Sequence, residues 1–198
     1  MVIATTPRVI LRRWQPSDRQ PFATLNADPR VTEFMPATLS HEESDRLADR
    51  IEAHFQTHGF GLCAVELSGT THPNCVGPAT ASAGTLTAPT FIGFIGLSIP
   101  TFQAHFTPCI EIGWRLSADH WGQGLATEGA QAIIRYAFDT LNVASLVSFT
   151  VANNARSRRV MEKLGMTRNP ADDFNHPDFP PEHPLSRHIL YRLSRPVA

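Results

Sequence analysis

A glycine-punctuated stretch in the second half of the chain has the composition of an anion-binding turn. It reads Trp-Gly-Gln-Gly-Leu-Ala-Thr-Glu at positions 121–128, between an apolar run at 110–116 and a long segment of helical periodicity. A strand that feeds a glycine turn and opens a helix directs unpaired backbone N–H groups at one point, where the helix macrodipole adds positive potential. Because Gly122 and Gly124 lack a Cβ atom, a bulky anion can approach the backbone closely. The stretch therefore predicts a phosphate-binding turn.

Two other phosphate-binding turns do not fit this stretch. A P-loop needs Gly-Lys followed by Ser or Thr, whereas Gly124 is followed by Leu125 and no Lys is near. A dinucleotide-binding fingerprint needs a third glycine, and Thr127 occupies that position. The missing Lys and magnesium ligands also disfavour a nucleotide-binding regulator.

Two blocks of sequence resemble the acetyl-CoA elements of the GNAT N-acetyltransferase superfamily. Motif A of that family, Q/R-x-x-G-x-G/A, reads here Trp121-x-x-Gly124-x-Ala126. Trp departs from the general consensus, but W-G-x-G-x-A-T-E is similar to the branch that contains RimJ and RimL, the ribosomal-protein alanine N-acetyltransferases. Residues 154–166 resemble the second element, N-x-x-S-x-x-V-x-E-K-L-G-F/M. Physically, this block is a short helix with Asn154 as its N-cap and Gly165 as its end.

The resemblance implies acetyl-CoA as cosubstrate and no metal. It places the pyrophosphate on the backbone amides of residues 122–127 and the pantetheine arm between strands 110–116 and 146–151, which splay apart. A backbone N–H of the first strand is then expected to face the thioester oxygen. The cofactor-binding residues expected on this basis are Leu116, Trp121, Gly122, Gln123, Gly124, Leu125, Ala126, Thr127, Asn154 and Ser157.

Acetyl transfer from a thioester to an amine needs a base for the amine and a proton for the departing thiolate. Glu111 is the candidate base, because it is an acid in an apolar strand where burial would raise its pKa; the alternative is an outward-facing residue paired with Arg115. Ser157 matches the serine that is the proposed proton donor to the CoA thiolate in this branch. The alternative is a capping or packing role. Many members use a Tyr at the position of Met161, which cannot donate a proton.

Other residues of suggestive type are expected to be structural. His54 and His58 are four residues apart but have no third metal ligand, so they predict surface histidines. His188 could line the acceptor site, but we expect it to be packed or exposed. Phe34 and Met35 resemble the acceptor-side turn of the family, and core packing is favoured for them. The three cysteines are widely spaced and lie in neither motif, which favours reduced thiols and argues against a covalent acyl-enzyme.

The elements that position these residues alternate between strands and helices. Strands are predicted at 8–13, 60–67, 91–99, 110–116, 146–151 and 188–193, with Gly93 and Gly96 at sites of close packing or bending. Helices are predicted after the capping boxes Ser17-x-x-Gln20 and Ser40-x-x-Glu43, the second ending at Gly59, and over residues 124–141 and 155–164. The pattern predicts an α/β fold, and the resemblance implies a mixed, mostly antiparallel sheet flanked by helices. We expect one domain over 1–198, with a flexible insertion at 68–90 and a long loop at 169–187 near the acceptor site.

Composition narrows the range of functions. The chain has 198 residues, of which 42% are hydrophobic and 18% charged, as in ordinary globular proteins. A net charge of −1 provides no field for nucleic acid or acidic membranes. No apolar run is long enough to span a bilayer and no signal pattern appears, so a cytoplasmic protein is expected.

The sequence thus predicts an acetyl-CoA-dependent N-acetyltransferase that transfers acetyl directly to a primary amine. The modest visible base chemistry favours a protein N-terminal α-amine or a small amine of similar pKa. A non-catalytic acyl-CoA-binding or sensing protein on the same fold is the alternative. The oligomeric state stays open, a homodimer included.

Overall fold

The computed structural model describes residues 1–68 and 90–196. Within these ranges nine strands form one sheet in the order β1-β2-β3-β4-β5-β6-β9-β7, with β8 also paired to β9. All neighbouring strands are antiparallel except β5 and β6, which confirms the predicted mixed, mostly antiparallel sheet. The strands are β1 (Val2–Thr5), β2 (Val9–Arg12), β3 (Leu62–Leu67), β4 (Thr90–Ser98), β5 (Glu111–Leu116), β6 (Ser145–Val151), β7 (Thr167–Arg168), β8 (Phe174–Asn175) and β9 (Arg187–Ser194).

Helices cover both faces of this sheet. The helices are α1 (Arg19–Ala27), α2 (His41–His58), α3 (Leu125–Arg135) and α4 (Ala155–Lys163). On one face Phe22 of α1 packs edge-on against Phe94 of β4, with ring centroids 6.1 Å apart. On the other face α3 lies so close to the sheet that a Cβ atom on Gly129 would be 2.5 Å from Ile95. Successive strand residues point to opposite faces, so Phe94 and Ile95 separate the two helical layers.

The ends of the first two helices show one correct and one wrong prediction. Ser40 and Glu43 form the predicted capping box at the start of α2, and Gly59 ends that helix with φ 76°. The box predicted at Ser17 and Gln20 is wrong. Asp18 takes that place instead, because its carboxylate accepts the backbone N–H of Gln15 at 2.8 Å.

Several boundaries differ from those predicted. The long motif helix ends as an α-helix at Arg135 and continues as one π-helical turn, Tyr136–Thr140. The loop predicted at 169–187 contains the short strand β8, and strand β1 was not predicted. Residues 69–89 of the predicted insertion lie outside the described residues. No helix in the described part of the chain is long and apolar enough to cross a membrane.

Close packing at β4 sets the position of β5. Gly93 has φ 137°, and a Cβ atom there would lie 2.1 Å from the carbonyl oxygen of Arg115; one on Gly96 would lie 2.2 Å from that of Gly61. These contacts confirm the close packing predicted for the two glycines. They allow β4 to hold β5 in continuous register, from Gly93 opposite Leu116 to Ser98 opposite Glu111.

Candidate active site

A cavity of about 680 Å³ opens where β5 and β6 diverge. The two strands are paired in register only at Glu111 and Val147, and the N–H of Val147 donates to the carbonyl of Ile110 at 2.9 Å. On its other edge β6 pairs with β9 along its whole length, whereas residues 112–116 have no strand partner on the β6 side among the described residues. The splayed strand pair predicted from the sequence is therefore present, and an extended group can lie along the open edge of β5.

The glycine turn at 121–124 forms one wall of the cavity. Gly122 and Gly124 have φ 75° and 80°, a left-handed conformation that favours glycine. Gly124 is the N-cap of α3 and supplies no side chain, so the first N–H groups of the helix have no side-chain cap among the described residues. They face a cavity lined by Gly124, Leu125, Ala126 and Thr127. This arrangement fits the phosphates of a coenzyme A group.

Arg8, in the turn between β1 and β2, supports this glycine turn from outside. Its Nη1 donates to the carbonyl of Gln123 at 2.8 Å, and its Nε donates to Glu128 at 2.6 Å. Thr6 donates to the same carboxylate at 2.6 Å. Although burial opposes ionisation, hydrogen bonds from Thr6 and Arg8 hold the pKa of Glu128 below its usual value. Sequence reasoning did not identify this support, because its partners are about 120 positions apart.

Basic side chains of α4 also line the cavity. They are Arg156, Arg159 and Lys163. Arg156 lies 4.4 Å above the ring of Trp121 and forms an ion pair with Glu33. The indole N–H of Trp121 donates to the carbonyl of Leu116 at 2.9 Å, so the tryptophan joins β5 to the glycine turn. Arg159 and Lys163 form no salt bridge within the described residues, and their charge suits phosphate oxygens in this cavity.

The start of α4 places Ser157 in the cavity. The side chain of Asn154 caps the helix by accepting the backbone N–H of Ser157 at 3.1 Å, and it donates to Thr150. Since the cap uses the backbone of Ser157, the hydroxyl stays available; it has no hydrogen-bond partner among the described residues. Met161 is fully buried in the core and does not line the cavity.

Glu111 lies at the branch point of β5 and β6. Burial raises its pKa to about 7, against a hydrogen bond from the Ser98 hydroxyl at 3.2 Å. The alternative pairing with Arg115 does not occur: no cation of the described residues forms a salt bridge with Glu111. A partly buried carboxyl with a pKa near neutrality can accept a proton at physiological pH.

The predicted site residues converge on this cavity with one exception. Those lining it are Glu111, Leu116, Trp121, Gly122, Gly124, Leu125, Ala126, Thr127, Asn154 and Ser157. Gln123 is not among the lining residues, because the turn directs its carbonyl towards Arg8. Their roles in binding and catalysis stay predictions.

The other side of the cavity contains residues for which we expected structural roles. Phe34 and Met35, from the segment between α1 and α2, line the cavity and lie outside the hydrophobic core, so their assignment to the core is wrong. His188 of β9 lines it as well, with its ring 6.0 Å from that of Phe149. A signal for the first two was available in their resemblance to the acceptor-side turn of the family.

Of the two α2 histidines predicted to lie on the surface, His58 is exposed, but His54 is half-buried and has structural partners. His54 Nδ1 lies 2.9 Å from the carbonyl of Phe60, and its Nε2 accepts the N–H of Ile99 at 3.1 Å, which suits the neutral imidazole. Burial also lowers the pKa of His54. Within residues 1–68 and 90–196 no group of three or more His, Cys, Asp or Glu side chains could hold a metal ion.

The comparisons with known proteins agree with this fold and cavity. Residues 8–167 match the family described as "Acetyltransferase (GNAT) domain". This match covers more than half of the chain, so the protein belongs to the GNAT acetyltransferase family, as predicted.

A curated relative is the FsC-acetyl coenzyme A-N(2)-transacetylase of Aspergillus fumigatus. It is 36% identical over 109 residues, which is 53% of this chain and 46% of the relative. The matches to curated relatives thus span less than half of those proteins, between 33% and 46%.

Solved structures share the fold along nearly the whole chain. RimL, the ribosomal L7/L12 α-N-protein acetyltransferase in complex with coenzyme A, is 12% identical with TM-score 0.70 and covers 98% of each chain. Mycobacterium smegmatis RimJ, in complex with a CoA disulfide, is 13% identical with TM-score 0.68 and covers 94% of this chain and 81% of its own. Structural neighbours therefore include both proteins named by the predicted branch.

Proposed function

We propose that the protein is an acetyl-CoA-dependent N-acetyltransferase that transfers acetyl directly to a primary amine. The observation that carries the proposal is the position of Glu111, a partly buried acid without a cationic partner, in the cavity that the glycine turn also lines. A protein that only bound acyl-CoA would need the turn and the cations, but would have no use for an unpaired base beside them. When bound, acetyl-CoA supplies an activated acyl group.

In this proposal Glu111 and Ser157 carry out the two proton transfers. Glu111 takes the proton of the amine, directly or through water, as the C–N bond forms. Ser157 donates to the sulfur as the C–S bond breaks, and its unpaired hydroxyl supports that role. The departing thiol has a pKa of about 8.5, so its demand for a proton donor is modest. Direct transfer is favoured because Cys63 is buried and Cys109 has its pKa raised by burial, so neither resembles an activated nucleophile.

The acceptor we propose is an α-amine, of a protein N-terminus or a small molecule. With a pKa near 7.8, about one-third of an α-amine is neutral at pH 7.5, against about 0.1% of a lysine amine. A base with a pKa of about 7 suits the first acceptor better. The proteins that this chain resembles include an α-N-protein acetyltransferase and an N(2)-transacetylase, so both kinds of acceptor are compatible with the fold. We propose a cytoplasmic location for this reaction, with which the absence of a disulfide among the described residues is compatible.

The test is acetylation of a panel of acceptors, with free CoA and acetylated product both measured. The panel contains peptides that differ at the first residue, small α-amines, a polyamine, and peptides whose only free amine is a lysine side chain. We expect turnover on α-amines above that on lysine side chains. Exclusive acetylation of lysines would contradict the acceptor class, and acetyl-CoA binding without product on any amine would favour the non-catalytic alternative.

A further inference from the structure

Arg115 brings an unpaired positive charge into the cavity. Its Nη1 donates to Asn26 Oδ1 at 2.6 Å, and the fully buried Asn26 donates in turn to Ser44 at 2.9 Å. Its Nε is buried without a hydrogen-bond partner, and no carboxylate of the described residues forms a salt bridge with it. Residues 69–89 contain neither Asp nor Glu, so that segment adds no acidic partner.

Another buried arginine shows what this site lacks. Arg12 is held by two carboxylates, those of Asp18 and Glu66, at 2.7 Å each. Burial of a cation is costly unless an opposite charge compensates it. Burial lowers the pKa of Arg115 to about 10, so the side chain stays charged at neutral pH. Among the described residues the amide oxygen of Asn26 and the ring of Phe94, 5.3 Å away, stabilise this charge, and no carboxylate does. The environment of Arg115 suits an anion that arrives with a ligand.

The position of Arg115 favours the acceptor over CoA as the source of that anion. Arg115 bonds to α1, on the face of the sheet opposite α3, whose N-terminus receives the phosphates. Arg159 and Lys163 of α4 line the cavity as well and have no salt bridge among the described residues, so the phosphates have other cations to bind. Arg115 therefore shares a side of the cavity with Phe34 and Met35, and not with the glycine turn.

Alternation along β5 places Arg115 on the same face as Glu111, with Gly113 between them. A Cβ atom on Gly113 would meet only the Oε1 of Glu111, at 3.9 Å, so this part of the strand surface is bare. The α-carbons of positions 111 and 115 are four strand residues apart, or about 13 Å. A molecule lying over Gly113 can present its amine to the acid and its other end to the guanidinium.

We propose that Arg115 binds a carboxylate of the acceptor, held in position by Asn26 and Ser44. Preferred acceptors are then primary amines with a carboxylate within about 13 Å of the amine, the length of four extended residues. The carboxylate can be an acidic side chain near a peptide N-terminus or the main-chain carboxylate of a small amino acid derivative. The inference rests on the proposed function for the identity of the cavity, and its test measures binding separately from turnover.

The experiment is calorimetric binding of matched acceptors to the CoA-loaded protein. One arm uses peptides with a free N-terminal amine and a blocked C-terminus. Each of these peptides has Glu at position one, two, three or four and is compared with the same peptide containing Gln there. The other arm compares alanyl-alanine with its amide. We expect wild-type protein to bind the carboxylate member of at least one pair about 10- to 100-fold more tightly. Arg115→Gln should remove this preference and leave CoA affinity unchanged, and Arg115→Lys should keep part of it. Arg50→Gln, the same change at an exposed position of α2, should keep all of it.

Equal affinity for both members of every pair in the wild-type protein would overturn the inference. So would a preference that persists in Arg115→Gln, or a loss of CoA affinity in that variant, which would assign Arg115 to the cofactor. If Arg115→Gln does not fold, Arg115→Lys and the wild-type pairs decide the question. Carboxylate selectivity without acetylation of any amine would contradict the proposed function alone, whereas acetylation without selectivity would contradict this inference alone.

Discussion

The two halves of the cavity are built in different ways. We assign one half to the cofactor and the other to the acceptor. The cofactor half consists of two nearly continuous segments, 121–127 and 154–163, and relies on glycine φ angles, helix N–H groups and an Asn cap. The acceptor half joins side chains from the α1–α2 segment, β5 and β9, which are far apart in the sequence. Backbone geometry can bind the same cosubstrate throughout a family, whereas side chains on separate elements can change independently to suit different acceptors.

The carboxylates of the two halves show the same contrast. Glu128, behind the glycine turn, is held ionised by Thr6 and Arg8 and supports the structure. Glu111, on the acceptor side, has one hydroxyl as its partner and a pKa raised to about 7. The first arrangement stabilises a loop, and the second leaves a proton acceptor available for reaction.

The largest effect is expected from closing the cofactor half. Gly124→Val places a branched side chain at φ 80° where the phosphates approach, and we expect acetyl-CoA affinity to fall by about 100-fold or more. Gly59→Val is the matched control, since Gly59 has φ 76° but ends α2 outside the cavity. Calorimetry on both folded variants checks the prediction. Unchanged affinity in Gly124→Val would remove the glycine turn from the phosphate site.

Closing the acceptor half should have a separate effect. Gly113→Val adds bulk to the bare surface between Glu111 and Arg115 without requiring a left-handed backbone. We expect kcat/KM for the acceptor to fall by about 10- to 100-fold, because the amine loses its position beside the base. The affinity for acetyl-CoA should change by less than about twofold. If acetyl-CoA affinity falls as well, the two halves are not separable in this way.

Glu111 should also reduce stability at high pH. Its folded pKa of about 7 exceeds the ordinary value of 4.5, so the folded protein holds a proton that the unfolded chain releases between these pH values. Stability is therefore lost as pH rises through that window. Glu111→Gln should be more stable than wild type by about 3 kcal/mol at pH 8 and similar to it at pH 4. Urea unfolding measures this difference in the free energy of unfolding. The control Glu182→Gln, at an exposed position, should show no such difference. A difference for Glu111→Gln that does not change with pH would refute the raised pKa.

The smallest effect is expected where the two halves meet. Ser157→Ala removes the hydroxyl but keeps the backbone N–H that Asn154 caps, so α4 should be unaffected. We expect kcat to fall about tenfold because the thiolate loses its proton donor. Acetyl-CoA affinity should stay within about twofold, and Ser145→Ala, at an exposed position of β6, should behave as wild type. A wild-type rate in Ser157→Ala would leave the serine with a structural role.

The same division explains what the sequence could predict. Gly122, Gly124 and Asn154 act through local backbone geometry, so their spacing along the chain was informative. The supports of the site depend on contacts between distant segments, such as Arg8 with Gln123 and Arg115 with Asn26, and no local pattern marks them. Asp18 replaced the predicted Ser17 cap for a similar reason, since Arg12 holds its carboxylate from another element.

The most direct test of the account is the pH dependence of acetyl transfer by wild type and Glu111→Gln on one acceptor. The ratio of their kcat/KM values cancels the titration of the acceptor amine and isolates the group at position 111. If Glu111 is the base, this ratio rises about tenfold per pH unit below the pKa of Glu111, about 7, and is level above it. A ratio that stays constant from about pH 5.5 to 8.5 would contradict Glu111 as the base, and with it the central claim.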